Sequence, residues 1–267
     1  MNDIDTQPRS PLPPSLELDW HGPVAVLHLN RAAKRNALND PTVLGLEEFF
    51  AAPPGAARAV VLNARGDHFS AGLDLSELTE RDAFGGLEHS RMWHRAFDRI
   101  ERGRLPVVTV LKGAVVGGGL ELASATHIRV AEPSAFYALP EGQHGLFVGG
   151  GGSVRIPRLI GGHRMAEMML TGRVLNAEEG QVLGLSHYLV APGDGLTTAL
   201  DLATTVANNP PMTNFAVLQA LPRIVQAGDD GGFLLESLMA AVAGSSDDAK
   251  DRMQAFLNGR GGKVTRS

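Results

Sequence analysis

The period of the hydrophobic positions changes along the chain, and the changes divide it into short apolar runs and amphipathic stretches. Residues 15–20 and 24–30 read as two strands joined by a turn at His21-Gly22-Pro23. Residues 36–51 place Val43, Leu44, Leu46, Phe49 and Phe50 at helical spacing, with Asp40-Pro41 as N-cap and first helical residue. The short apolar runs at 59–63 and 107–111 predict buried strands, the first suited to parallel pairing. Between them, residues 87–101 form an amphipathic helix that ends near Gly103 and Pro106. Residues 128–131, 135–138 and 187–190 read as strands, and 152–160, 162–171 and 177–184 as helices. From Leu196 onward the spacing is helical only, broken at Pro210-Pro211 and at 228–232. This alternation predicts a layered α/β core over residues 15–195 and a helical region over 196–267, preceded by a polar, Pro-rich and flexible tail at 1–14.

Composition narrows the function classes. With 267 residues the chain is long enough for a substantial core, and its net charge of −5 gives no general attraction to nucleic acid or to acidic membranes. Cys is absent, which rules out disulfides, zinc–thiolate sites and a cysteine nucleophile. The N-terminus lacks the apolar segment of a secretory signal, and no apolar run approaches the ~20 residues of a membrane helix, so the expected compartment is the cytoplasm.

Glycine changes the picture most. There are 32, and they gather at Gly117-Gly118-Gly119 and Gly149-Gly150-Gly151-Gly152, as expected where backbone must approach a ligand or another element closely. The first cluster joins a strand end to a helix start, where free N–H groups can face an anionic oxygen; a tight packing turn is the plainer alternative. Residues 68–74, His68-Phe69-Ser70-Ala71-Gly72-Leu73-Asp74, also follow a buried strand and offer a second N–H donor. Glu121 lies in the first turn of the helix after the triplet, and Glu141 follows Pro140 twenty positions later. Each alone reads as an ordinary helix-start or loop glutamate.

Taken together, these segments resemble the crotonase, or enoyl-CoA hydratase, superfamily. The resemblance runs from about Leu16 to Arg260 and is carried by Asn30-Arg31, Lys34-Arg35-Asn36-Ala37-Leu38, Phe69 to Asp74, Gly117 to Ala123, Pro140-Glu141, Leu170-Thr171-Gly172 and Gly184-Leu185. It implies a spiral of ββα units, related to the ClpP/crotonase fold, with a C-terminal helical trimerisation region. It further implies hydration of a short-chain 2-enoyl-CoA, with Glu121 and Glu141 as catalytic carboxylates and Ala71 and Gly118 as oxyanion-hole donors. Gly149 would orient the water or product hydroxyl, although Val148 stands where the family carries Pro. The implied CoA contacts are Lys34, Arg35, Ala37, Asp74 and Leu75, with Phe256 and either Arg260 or Lys263 presented to a neighbouring subunit, since Gly259 occupies the family's Lys position. His127 replaces a common Asp and reads as structural; His144 reads as a loop residue near the pocket. No separate cofactor is implied, because coenzyme A belongs to the substrate, and the assembly expected is a homotrimer or a homohexamer of two trimers.

Within the family the chain is similar to hydratases of a 3-methylthio enoyl thioester, methylthioacryloyl-CoA. That likeness implies loss of methanethiol and thioester hydrolysis to acetaldehyde, carbon dioxide and CoA. The alternatives are a general short-chain hydratase, a family acyl-CoA hydrolase, or a non-catalytic CoA- or RNA-binding relative; the acidic balance argues against RNA.

Overall fold

Strands β1 (Leu16–His21) and β2 (Val24–Leu29) pair antiparallel across a turn in which Gly22 takes φ +56°. The computed structural model describes residues 10–77 and 81–260. Strands β3 (Ala59–Ala64), β4 (Val107–Leu111), β6 (Ile128–Ala131) and β9 (Tyr188–Leu189) extend this sheet in parallel, in the order β1-β2-β3-β4-β6-β9. A second, three-stranded sheet joins β5 (Ala114–Val116), β7 (Phe136–Ala138) and β8 (Leu175–Asn176). Every residue of β2, β3 and β4 is buried, as mostly apolar strands require when both sheet faces are covered, and their polar members His28, Asn63 and Thr109 are buried with the rest.

The two faces carry separate cores. Ala25, Leu27 and Leu29 of β2 join Phe49, Phe69, Phe97, Leu111 and Tyr137 on one side. Their alternates Val24 and Val26 meet Val61, Val108, Val110 and Val130 on the other, as period-2 side chains must. The first core lies under helices α1 (Asp40–Ala51), α2 (Ala83–Glu101), α3 (Gly118–Ser124), α4 (Gly152–Ile160), α5 (Gly162–Thr171) and α6 (Ala177–Leu183). Helix α7 (Gly195–Ala207) covers the second through Ala199, Ala203 and Ala207, one small residue per turn.

That contact corrects the expected boundary at residue 195. Helix α7 belongs to the first unit, Met1–Ala207, and the second unit is Asn208–Ser267. The second unit contains α8 (Pro211–Phe215), a π-helical turn Ala216–Ala220, α9 (Leu221–Gln226), α10 (Asp229–Ser245) and α11 (Asp247–Leu257). Residues 1–9 of the expected tail lie outside the described residues. Within 10–14 the chain is not free, because Leu12 packs against the first core and Pro13 O accepts a bond from Leu16 N at 2.9 Å.

Local caps shift the predicted ends. Asn39, not Asp40, caps α1, its Oδ1 accepting from Thr42 N at 3.2 Å. Helix α2 starts at Ala83, with Asp82 accepting from Gly85 N at 2.7 Å. Among the described residues no helix is long and apolar enough to cross a membrane.

Candidate active site

Strand β5 ends at Val116 and α3 begins two residues later, so the glycine triplet sits where a sheet edge turns into a helix start. Each glycine answers to a different neighbour. A Cβ on Gly117 (φ +51°) would fall 2.7 Å from Glu141 Oε1, one on Gly118 2.7 Å from Trp93, and one on Gly119 2.5 Å from the Ser70 carbonyl. The N–H of Gly118, in the first turn of α3, has no acceptor among the described residues.

The facing segment corrects one expected donor. Ala71 N donates to Arg35 O at 2.9 Å, so its N–H is spent within the fold. Gly72, at φ +90°, then turns the chain; its carbonyl accepts from Leu38 N at 2.7 Å. In a trans peptide the next N–H points the opposite way, so Leu73 N–H faces away from Leu38 and finds no acceptor among the described residues. A Cβ on Gly118 would lie 3.5 Å from Leu73 N. The two free donors are therefore those of Leu73 and Gly118, while Ala71 contributes only to the wall. Both border a cavity of about 470 Å³ whose lining includes Ala71, Glu121, Glu141 and Gly149.

Glu121 is the fourth residue of α3 and only 3% exposed. Its Oε1 accepts from Gly150 N and Gly152 N, both at 2.8 Å. Burial pushes its carboxyl above the usual 4.5, opposed by those two donors and by Arg155 and reinforced by Glu141. The second glycine cluster is thus a clamp on this carboxylate: a Cβ on Gly152 would fall 2.7 Å from Glu121 Cγ, and one on Gly150 3.2 Å from its Cδ. Glu141 sits in the 3-10 turn Pro140–His144, half-buried, and its Oε2 has no partner among the described residues. Burial also raises its pKa, with His144 pulling the other way.

Gly149 lies in the cavity wall; its carbonyl accepts from Ser90 Oγ at 2.6 Å, and its N–H has no acceptor among the described residues. Ser90 thereby restrains the loop that lacks the family's Pro. Ser90, Trp93 and Arg155 were not singled out from the sequence. Ser90, Trp93 and Phe97 do fall on one face of α2 at spacings of three and four, a signal indistinguishable from ordinary core packing.

The CoA candidates separate into groups. Lys34 Nζ lies 2.8 Å from Ser76 Oγ and 3.4 Å from Asp74 Oδ2, beside Leu75, which lines the cavity. Asp74 is buried and engaged by Ser76, Arg31 and Lys34, which hold its carboxyl well below the usual range. Its side chain holds the loop together. Arg35 is exposed and serves Ala71 through its carbonyl, and Ala37 O accepts from Arg31 Nη1 at 2.6 Å. Phe256 and Arg260 belong to the second unit, both exposed, and Lys263 lies outside the described residues. His127 is structural: its Nδ1 accepts from Val107 N at 3.0 Å and its Nε2 lies 3.1 Å from Glu101 O. His144 is exposed at the cavity wall. Among the described residues no three His, Asp or Glu side chains converge as a metal site requires.

Comparison with known proteins points the same way as this geometry. The family model described as enoyl-CoA hydratase/isomerase matches residues 20–264. A short-chain-enoyl-CoA hydratase of Clostridium acetobutylicum is 31% identical over 246 residues, covering 91% of this chain and 94% of the relative. The 2,3-dehydroadipyl-CoA hydratase of Escherichia coli K12 is 31% identical over 243 residues, covering 89% and 93%. A crystal structure from Rhodopseudomonas palustris, under the provisional name enoyl-CoA hydratase, superposes with a TM-score of 0.90 at 60% identity, covering 92% of this chain and 95% of the other.

Proposed function

The chain belongs to the enoyl-CoA hydratase/isomerase family, and we propose that it is a hydro-lyase that adds water to a short-chain 2-enoyl-CoA. The observation that carries this reading is the pairing, in one cavity, of two carboxyls raised by burial with two unspent N–H donors. In this reading the thioester oxygen lies between the N–H groups of Leu73 and Gly118 and takes up charge as water attacks C3, a stabilisation worth about 3–4 kcal/mol for each well-placed donor. One glutamate removes a proton from the water and the other delivers a proton to C2; like charges nearby push their pKa values apart and suit them to opposite tasks. The free N–H of Gly149 orients the water from the side.

For the acyl group, the finer reading is methylthioacryloyl-CoA, supported by the likeness of the chain to hydratases of that thioester and by glycine walls at 117–118 and 149–150 that leave room beside both carboxyls. Water added at C3 gives a hemithioacetal, which expels methanethiol and leaves an aldehyde. A second water cleaves the thioester, freeing CoA and a 3-oxo acid that loses carbon dioxide to give acetaldehyde. Lys34, bonded to Ser76 next to the cavity-lining Leu75, is the candidate cation for the CoA phosphates in this reading. The proposed compartment is the cytoplasm, and the proposed assembly a trimer or a pair of trimers.

Mass-spectrometric product analysis on crotonyl-CoA and methylthioacryloyl-CoA, side by side, tests both levels. Water uptake by either substrate, abolished in Glu121→Ala, is expected. Full turnover in Glu121→Ala would point instead to a non-catalytic relative. Efficient hydration of crotonyl-CoA with no thiol released from the methylthio substrate would overturn the finer reading and leave the general hydratase.

A further inference from the structure

Beside the cavity, and not among the residues that line it, lies a buried cation that the chemistry above does not use. Arg155, in α4, is 8% exposed. Its Nε donates to Glu101 Oε2 at 2.6 Å and its Nη1 to Gly150 O at 3.0 Å. Glu101, the last residue of α2, is held in turn by His127, whose Nε2 meets the Glu101 carbonyl at 3.1 Å. A third feature points to the same guanidinium. Gly151 takes φ +93°, and a Cβ there would fall 2.3 Å from Arg155 Nη1, so the loop is shaped around it.

The peptide groups on either side of Gly150 divide the work. Its N–H binds Glu121 Oε1, and its C=O binds Arg155. We propose that Arg155, clamped by Glu101, is a positioning residue that fixes the Gly150–Gly152 loop and thereby the carboxylate of Glu121. The inference rests on the hydratase reading for its kinetic consequence only. Arginine fits this place because its planar fork meets a carboxylate and a carbonyl at once, which a single ammonium on a flexible stem does not reproduce. Several charges surround the pair: Glu141 and Arg155 act on Glu121, Arg155 also acts on His94, and Glu101 acts on His127. Arg158 Nη1 stands 3.7 Å from Glu101, and Arg95, Asp98 and Arg102 share the cleft that Glu101 and Arg155 line.

The test uses the full chain with Arg155→Met, Arg155→Lys and the milder Glu101→Gln. Steady-state kinetics on crotonyl-CoA and a carbon-13 carboxyl NMR titration, with Glu121 assigned by Glu121→Gln, are the readouts. A displacement near 1 Å of a reacting group costs about 100-fold. Arg155→Met is therefore expected to lower kcat by about that factor with KM little changed. It also removes a cation beside Glu121, so the Glu121 titration and the limb of the pH profile it governs move to higher pH. Arg155→Lys restores the titration more fully than kcat, a split that loss of packing alone would not produce. A folded Arg155→Met with wild-type kcat and an unmoved Glu121 titration overturns the proposal. If Arg155→Met fails to fold, Glu101→Gln decides: lowered kcat with a shifted titration supports it, and neither change overturns it. If the wild type hydrates no enoyl-CoA, the functional reading fails while the NMR titration still judges Arg155.

Discussion

Glu141 carries the most exposed energetic conflict in the site. Its Oε2 is buried without a partner among the described residues, and burial raises its pKa above 4.5. A carboxyl whose folded pKa is raised binds its proton more tightly in the native state, so its contribution to stability is present below pH 4.5 and is lost as pH rises through the folded value. Glu141→Gln is therefore expected to match or exceed the wild type in thermal stability at pH 7, with the margin closing below about pH 4.5. Hydration should fall by roughly 10²–10⁴-fold in the same variant. Thermal melts across pH, set beside turnover, check both halves, and a clear loss of stability at pH 7 would contradict the argument. For the enzyme itself, both site carboxyls titrate above 4.5, so the acidic limb of the kcat/KM profile should lie above that value. The glutamates were legible in the sequence because their motif context singles them out. The resemblance points to Ala71, whereas the free N–H is that of Leu73, because it depends on Gly72 at φ +90° and on the Arg35 carbonyl, neither visible in residue order.

At the scale of elements, α3 shows how far a site depends on packing. Its seven residues are all buried, and a helix of that length does not persist by propensity alone. It is held by close approach to the 69–74 segment, most tightly at Gly119. Gly119→Ala would drive a methyl against the Ser70 carbonyl and is expected to destabilise by about 1–3 kcal/mol, read as a lower urea midpoint. Wild-type stability in that variant would show that the approach is looser than the backbone implies. The strands over 59–63 and 107–111 were legible because their residues are mostly apolar and β-branched, interrupted only by Asn63 and Thr109. Strands β5 and β8, with three and two residues, are too short to display any period, and α2 starts earlier than expected because its first turn exposes Phe84 beside two glycines. The boundary at 195 was misplaced for a related reason: helical spacing locates α7 but does not say which sheet face its alanines cover.

At the scale of the whole molecule, the second unit leaves much apolar surface uncovered. In α10 only Gly232 is buried, while Phe233, Leu234, Leu238 and Val242 are exposed, as are Met253, Phe256 and Leu257 in α11. Exposed side chains of this kind suit an association surface, and the proposed occupant is another copy of this chain. Light scattering should give a mass of three or six 28.2 kDa chains, and Leu234→Asp with Leu238→Asp should reduce it. A monomer in the wild type would overturn the assembly. The clamp on Glu121 has a consequence for repurposing the scaffold. Replacing Glu121 with an apolar side chain strands two buried N–H donors, so a change there costs least when the loop around Gly150 and Gly152 changes with it. The Glu141 carboxyl is bonded only by its own backbone N–H among the described residues. A designer seeking a new reaction on this framework, or a lineage drifting toward one, meets its lowest barrier at position 141.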